Sequence, residues 1–162
     1  MTDSGKHLKL TREDVMIFCS AIAQAPRQMR EARQAVTDQY DLGPRGAWIL
    51  GLISVGFDSP SALAVPLRIG RSLITAELKR LTEAGLIVYR KHDSDGRRWE
   101  LALTALGETA NRQLTKDIGK MLKTRLAGYT RDQIMLCVSI LRDFSRNAPQ
   151  FFEGKASAAT DC

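Results

Sequence analysis

Eight basic side chains fall between positions 68 and 98: Arg68, Arg71, Lys79, Arg80, Arg90, Lys91, Arg97 and Arg98. Four acids share that stretch, Glu77, Glu83, Asp93 and Asp95, so it carries +4 of the chain's net +6. An arginine fork donates two hydrogen bonds at once, to a phosphate or to the edge of a guanine. Interleaved with the cations are Ser72 and Thr75, whose hydroxyls reach phosphates or bases, and Leu73 and Ala76, whose methyl groups suit a thymine methyl. This chemistry recognises a polyanion and breaks no bond. Asp93 and Asp95 are close in sequence, but a polar loop in water offers no desolvated acid–base pair.

Such residues work only if something rigid presents them. Residues 63–107 read as helix, tight turn, helix, strand, charged loop, strand, helix start. Ser59 followed by Pro60 opens a short helix through about Leu67, with the hydroxyl as N-cap and proline at the first helical position. Arg68-Ile69-Gly70 is the turn. A second helix runs from about Arg71 to Ala84, with Ile74, Leu78 and Leu81 on its inward face. That leaves Arg71, Ser72, Leu73, Thr75, Ala76, Lys79 and Arg80 on or near its open face. Gly85 is the left-handed stop, and Leu86 packs back after it. Leu86–Lys91 and Trp99–Leu103 are strands, and Asp95-Gly96 turns the loop between them. Alternation places Trp99, Leu101 and Leu103 inward and Glu100 outward. The unit is a winged helix-turn-helix: one helix for a major groove, and a hairpin whose Arg97 or Arg98 fits a narrow minor groove.

Long helices flank this unit. Thr11 and Asp14 form a capping box ahead of a stripe of Val15, Phe18, Ile22, Ala25 and Met29. Pro26 is expected to kink this helix, which fades near Gln39–Tyr40. A helix from Pro44 to Val55 buries Trp48, Ile49, Leu52 and Ile53, and Gly56 ends it. Thr104 caps a helix striped by Leu106, Ala110, Leu114, Ile118, Met121 and Leu122, in which Gly119 suggests a close helix approach. Thr130 and Gln133 cap a last helix carrying Ile134, Cys137, Val138, Leu141 and Phe144, which stops before Pro149. The fold class is mainly α (α+β). The expected organisation is a helical dimerisation region at 1–40 and 104–150, a DNA-binding winged helix-turn-helix at 41–103 and a polar tail at 151–162. The outer stripes find few partners within the winged unit, so pairing of two chains would bury them.

The 162 residues suit one compact unit, and a pI near 9.5 favours polyanions. The chain has no run of about 18 apolar residues, and its first residues lack an apolar stretch after their positive charges. A cytoplasmic protein is expected. Cys19, Cys137 and Cys162 are widely separated, and His7 and His92 lie far from all three, so neither a metal nor another cofactor is expected. Phosphate loops and nucleophile elbows are missing from the sequence, which argues against an enzyme.

The run Leu81-Thr82-Glu83-Ala84-Gly85-Leu86-Ile87, the wing Asp95-Gly96-Arg97-Arg98 and Leu103-Thr104-Ala105-Leu106-Gly107 together resemble the MarR family of bacterial transcription regulators. The helix order over residues 11–147 is similar too. The resemblance implies a homodimer, with the first and the last two helices interlocked, that binds a pseudo-palindromic operator as a repressor. It puts Arg97 on the arginine that enters the minor groove and Asp95 on the aspartate that braces it. Two positions depart from the family pattern: Gly70 stands where a serine or threonine often caps the reading helix, and Gly96 replaces a common basic residue.

The resemblance also implies a small-molecule effector that releases the DNA, held in a pocket between helices. Met29, Arg30, Arg33 and Trp48 are the candidate lining, and an arginine there suits an aromatic or otherwise anionic ligand. The alternative for the arginines is a solvated face over a filled core, with Trp48 in that core. Some relatives sense peroxide through a cysteine on the first helix; for Cys19 a buried structural thiol is the expectation, and a packing role for Cys137. Two other functions fit the same residues: a winged helix used only for protein contact, and a cysteine-based redox-sensing repressor.

Overall fold

The computed structural model describes residues 9–43, 45–91 and 99–144. Seven helices and one hairpin follow in the order α1 (Arg12–Glu31), α2 (Gln34–Gln39), α3 (Gly46–Ser54), α4 (Pro60–Leu67), α5 (Arg71–Glu83), β1 (Ile87–Lys91), β2 (Trp99–Leu103), α6 (Ala105–Arg125) and α7 (Arg131–Phe144). The expected Asp95-Gly96 turn, Pro44, the two histidines and the tail lie outside the described residues.

Local chemistry sets most of the boundaries. Thr11 and Asp14 close a reciprocal capping box: the Asp14 N–H donates to Thr11 Oγ1 at 3.1 Å, and the Thr11 N–H donates to Asp14 Oδ2 at 2.9 Å. The Thr11 donors also hold the Asp14 carboxyl below its ordinary range. Pro26 does not end α1. The interruption comes at Ala32–Arg33, and α2 carries the chain on to Gln39. Asp41, at φ 48°, closes α2, with the Leu42 N–H donating to the Thr37 carbonyl at 2.9 Å.

The core gathers around α3, where Ala47, Ile49, Leu50, Leu52 and Ile53 are all buried. Around it lie Leu63 and Leu67 from α4, Ile74, Leu78 and Leu81 from α5, and Ala110 and Leu114 from α6. Trp48 departs from expectation: it is 45% exposed. Leu50 takes the place in the core, and the indole faces a cavity between helices.

The hairpin pairs antiparallel, with Ile87 opposite Leu103 and Lys91 opposite Trp99. Its alternation is the expected one at Leu101 and Leu103, which lie in or against the core, but not at its start. Trp99 is 58% exposed, whereas Glu100 is only 8% exposed. The Leu101 N–H donates to the Asp58 carbonyl at 2.7 Å, so the α3–α4 connection covers β2 there. Glu100 faces Arg90 across the register, Oε1 to Nε 2.6 Å. An ion pair, not an apolar contact, fills that position, and Trp99 stands where the strand has run past the core.

The junction of wing and α6 explains two residues of the Leu103–Gly107 run. Thr104 accepts from the Gly107 N–H at 3.0 Å and donates its own hydroxyl proton to the Gly85 carbonyl at 2.7 Å. It therefore caps α6 and ties it to the end of α5. Gly107 packs on the Leu86 backbone so closely that a Cβ would overlap the Leu86 carbonyl, an oxygen already accepting from the Thr104 N–H at 3.0 Å. Gly107→Ala is expected to destabilise the fold by about 1–3 kcal/mol, because overpacking against backbone outweighs alanine's better helix propensity. Calorimetry on wild type and variant checks this; an unchanged or raised melting temperature contradicts the contact. The close approach expected at Gly119 does not occur among the described residues: none lies within 4 Å of a Cβ there.

The outer helices bury little. Neither α1 nor α7 contains a buried residue. Phe18 and Phe144 meet edge to face, ring centroids 5.8 Å apart, yet both remain exposed. Cys19 and Cys137, expected inside, are exposed as well. Among the described residues of one chain, the stripes of α1 and α7 are at most partly covered.

Candidate nucleic-acid interface and effector cavity

Helix α5 is clamped on one side only. Ile74, Leu78 and Leu81 are buried, while Arg71, Ser72, Leu73, Thr75, Ala76, Lys79 and Arg80 are all exposed. The structure thus brings these seven predicted side chains onto one open face. Its start is held by the turn. Arg68 adopts the left-handed conformation, φ 50° and ψ 43°, and Gly70 is the N-cap with no side-chain hydrogen bond. The Leu73 and Ile74 amides donate to the Gly70 carbonyl at 3.1 and 3.2 Å, which leaves those of Arg71 and Ser72 for an anion, a direction the helix dipole favours. At the other end Gly85, φ +69°, closes the helix. Its N–H donates to the Thr82 carbonyl at 2.9 Å, and that of Leu86 donates to the Leu81 carbonyl at 3.0 Å, a Schellman stop.

The exposed cations are not equally free. Lys79 Nζ lies 3.7 Å from Glu83 Oε1, a solvated pair that costs little to open. Thr75 donates its hydroxyl proton to the Arg71 carbonyl at 2.9 Å, leaving the oxygen's lone pairs outward. Arg90 is engaged by Glu100 and is a poor candidate for phosphate. The candidates Asp95, Arg97 and Arg98 lie outside the described residues.

A cavity of about 550 Å³ opens between α1, α3, α6 and α7. Met29, Arg33 and Trp48 line it, together with apolar side chains such as Ile22, Leu114 and Ile118. Its size and apolar walls suit a small organic ligand. Arg30 does not line this cavity. It faces a neighbouring cleft of about 370 Å³ with Arg27 and Arg33, so Arg33 borders both spaces. The Arg33 Nε donates to the Met29 carbonyl at 2.8 Å. Burial first, and then the Arg30 guanidinium, lower the Arg33 pKa from its ordinary value.

Sequence reasoning missed Glu77. It sits on the inward face of α5, only 4% exposed, with Oε2 lacking any hydrogen-bond partner among the described residues. Its position one turn from Ile74 and Leu81 carried the signal, since a carboxylate in an apolar stripe needs a reason. Among the described residues there is no group of three or more His, Cys, Asp or Glu side chains that could hold a metal. Nor is any described helix long and apolar enough to cross a membrane.

No protein-family model and no curated protein sequence matches the chain. Solved structures do. A MarR family protein from Bacillus stearothermophilus superposes with a TM-score of 0.65 at 14% identity, over 85% of this chain and 97% of that one. CouR from Rhodococcus jostii, bound to p-coumaroyl-CoA, gives 0.67 at 19% identity over 87% and 96%. NadR in complex with 4-hydroxyphenylacetate gives 0.64 at 22% identity over 90% and 99%. The chain has the winged-helix fold of MarR family transcription regulators.

Proposed function

We propose that this chain, built on the MarR fold, is a homodimeric transcription regulator that reads double-stranded DNA with α5 and releases it when a small ligand binds. One observation carries the reading. The face of α5 turned from the core holds Arg71, Ser72, Thr75, Lys79 and Arg80, all exposed, on a helix rigidly clamped behind by three buried side chains. A major groove admits one helix, and these side chain types match phosphates and base edges. The wing continues the interface with Arg97 and Arg98, Asp95 bracing them.

The apolar faces of α1 and α7 support pairing of two chains through residues 1–40 and 104–150. Two copies of α5 then address half-sites of a pseudo-palindrome about one helical turn apart. Repression follows from occupying a promoter. Met29, Arg33 and Trp48 hold the effector in the 550 Å³ cavity. A relative of this fold was solved with an aromatic acid and another with an aromatic acyl thioester, and an aromatic or anionic ligand is the class assigned here. Such a ligand releases DNA by preferring a dimer whose reading helices no longer match the groove spacing.

Fluorescence anisotropy with duplexes from the neighbouring promoter tests the reading. Arg71→Ala is expected to weaken specific binding by about 1–3 kcal/mol, roughly five- to 150-fold, if the fork reads a base. Equal affinity of variant and wild type removes Arg71 from the interface. No binding by either at low salt leaves a winged helix devoted to protein contact.

A further inference from the structure

The effector cavity leaves Arg30 unused. Arg30 and Arg33 stand one turn apart at the α1–α2 break and face the 370 Å³ cleft together. Neither forms an ion pair among the described residues, whereas Arg27, on the same wall, is taken by Glu31 at 3.1 Å. Arg33 is half-buried and anchored through Nε to the Met29 carbonyl, so its terminal nitrogens are held in place. Arg30 is exposed, and its charge bears on the partly buried Arg33, an arrangement that an anion held between the two relieves. Two carboxylates line the same cleft, Glu31, which Arg27 neutralises, and Asp38 from α2, so a bound anion sits against Arg30 and Arg33.

The floor of the cleft is formed in part by Gly43. Behind that residue, from the side of α5, comes the buried carboxylate of Glu77. It occupies the space a side chain at Gly43 would need, with Oε1 2.7 Å from the Cβ position. The turn between α2 and α3 is thus a thin partition with the cleft on one side and the reading helix on the other. Gly43 is small enough for both to reach it.

We propose that the cleft at the α1–α2 break is a second ligand site, specific for a phosphate-bearing small molecule held by Arg30 and Arg33, and that the Gly43–Glu77 contact passes its occupancy to α5. The charge requirement selects the class. One arginine satisfies a monocarboxylate, while two adjacent guanidinium forks match the charge and the several acceptor oxygens of a phosphate monoester. The binding site stands whether or not the protein reads DNA; only the transmission to α5 rests on that function.

Calorimetry on the full chain without DNA tests the site, using phenyl phosphate, and benzoate as the singly charged counterpart. Phenyl phosphate is expected to bind at least tenfold more tightly than benzoate. Arg30→Gln is expected to lower its affinity at least tenfold at an unchanged melting temperature. Arg33→Gln should do the same, but it also loses the Met29 anchor, so Arg30→Gln decides. No binding of phenyl phosphate up to millimolar concentration, or equal binding by Arg30→Gln, overturns the site. A drop in duplex affinity of Arg30→Gln with no ligand present also overturns it, because the arginines then serve the DNA backbone. For transmission, phenyl phosphate should shift duplex affinity in wild type, and the shift should shrink at least threefold in Glu77→Gln. An undiminished shift in Glu77→Gln removes the relay and leaves the site.

Discussion

Raising salt from about 50 to 200 mM is expected to weaken duplex binding by roughly a thousandfold. The estimate follows from counting cations that face outward. Each chain offers Arg68, Arg71, Lys79 and Arg80 around the start and open face of α5, and all four are exposed. Arg90 drops out, since Glu100 holds it. In the proposed dimer, with Arg97 and Arg98 of the wing included, that amounts to on the order of six to ten phosphate contacts, each releasing condensed counterions. Anisotropy across a salt series on one promoter duplex measures the slope. A slope worth only one or two phosphates contradicts an interface centred on α5. The same slope in Arg71→Ala and Arg80→Ala tells whether each touches backbone or base, because a lost phosphate contact reduces it by about one and a lost base contact leaves it alone.

Leu81→Ala is expected to cost about 2–5 kcal/mol of stability. Leu81 is fully buried, and its carbonyl accepts from the Leu86 N–H that closes α5. Leu86 is fully buried too, so the side chains at both ends of that hydrogen bond lie within the core. Deleting the Leu81 side chain leaves a cavity between α5, α3 and the wing junction, where the surrounding elements are tied together by Thr104 and Gly107 and cannot collapse freely. Arg80→Ala, one position away on the open face, should change stability by less than about 0.5 kcal/mol. Urea unfolding at one fixed protein concentration, since the stability of the proposed dimer depends on concentration, separates the two. Similar midpoints for both variants contradict the one-sided clamping of the reading helix.

The amino-acid order by itself settled where the elements begin and end, wherever a boundary is a local event. Thr11–Asp14, Ser59–Pro60, Thr104 and Thr130–Gln133 cap helices through atoms three residues away at most, and Gly85 stops α5 through its own backbone torsion. The open face of α5 was readable for the same reason, because a 3.6-residue period sorts Ile74, Leu78 and Leu81 from the cations without reference to the rest of the chain. What covers a side chain was not local, and there only the tertiary structure decided. Trp48 and Trp99 have the composition of core residues, yet Leu50 and Glu100 are the buried residues beside them and both indoles lie outside. Cys19 and Cys137 are exposed because, among the described residues, no element buries the faces of α1 and α7 on which they lie. The placing of Arg33 on both cleft and cavity while Arg30 reaches only the cleft, and the meeting of Gly43 with Glu77, depend on elements far apart in sequence. Periodicity reports the direction of a side chain about its own helix; its neighbours across space are set by how the helices pack.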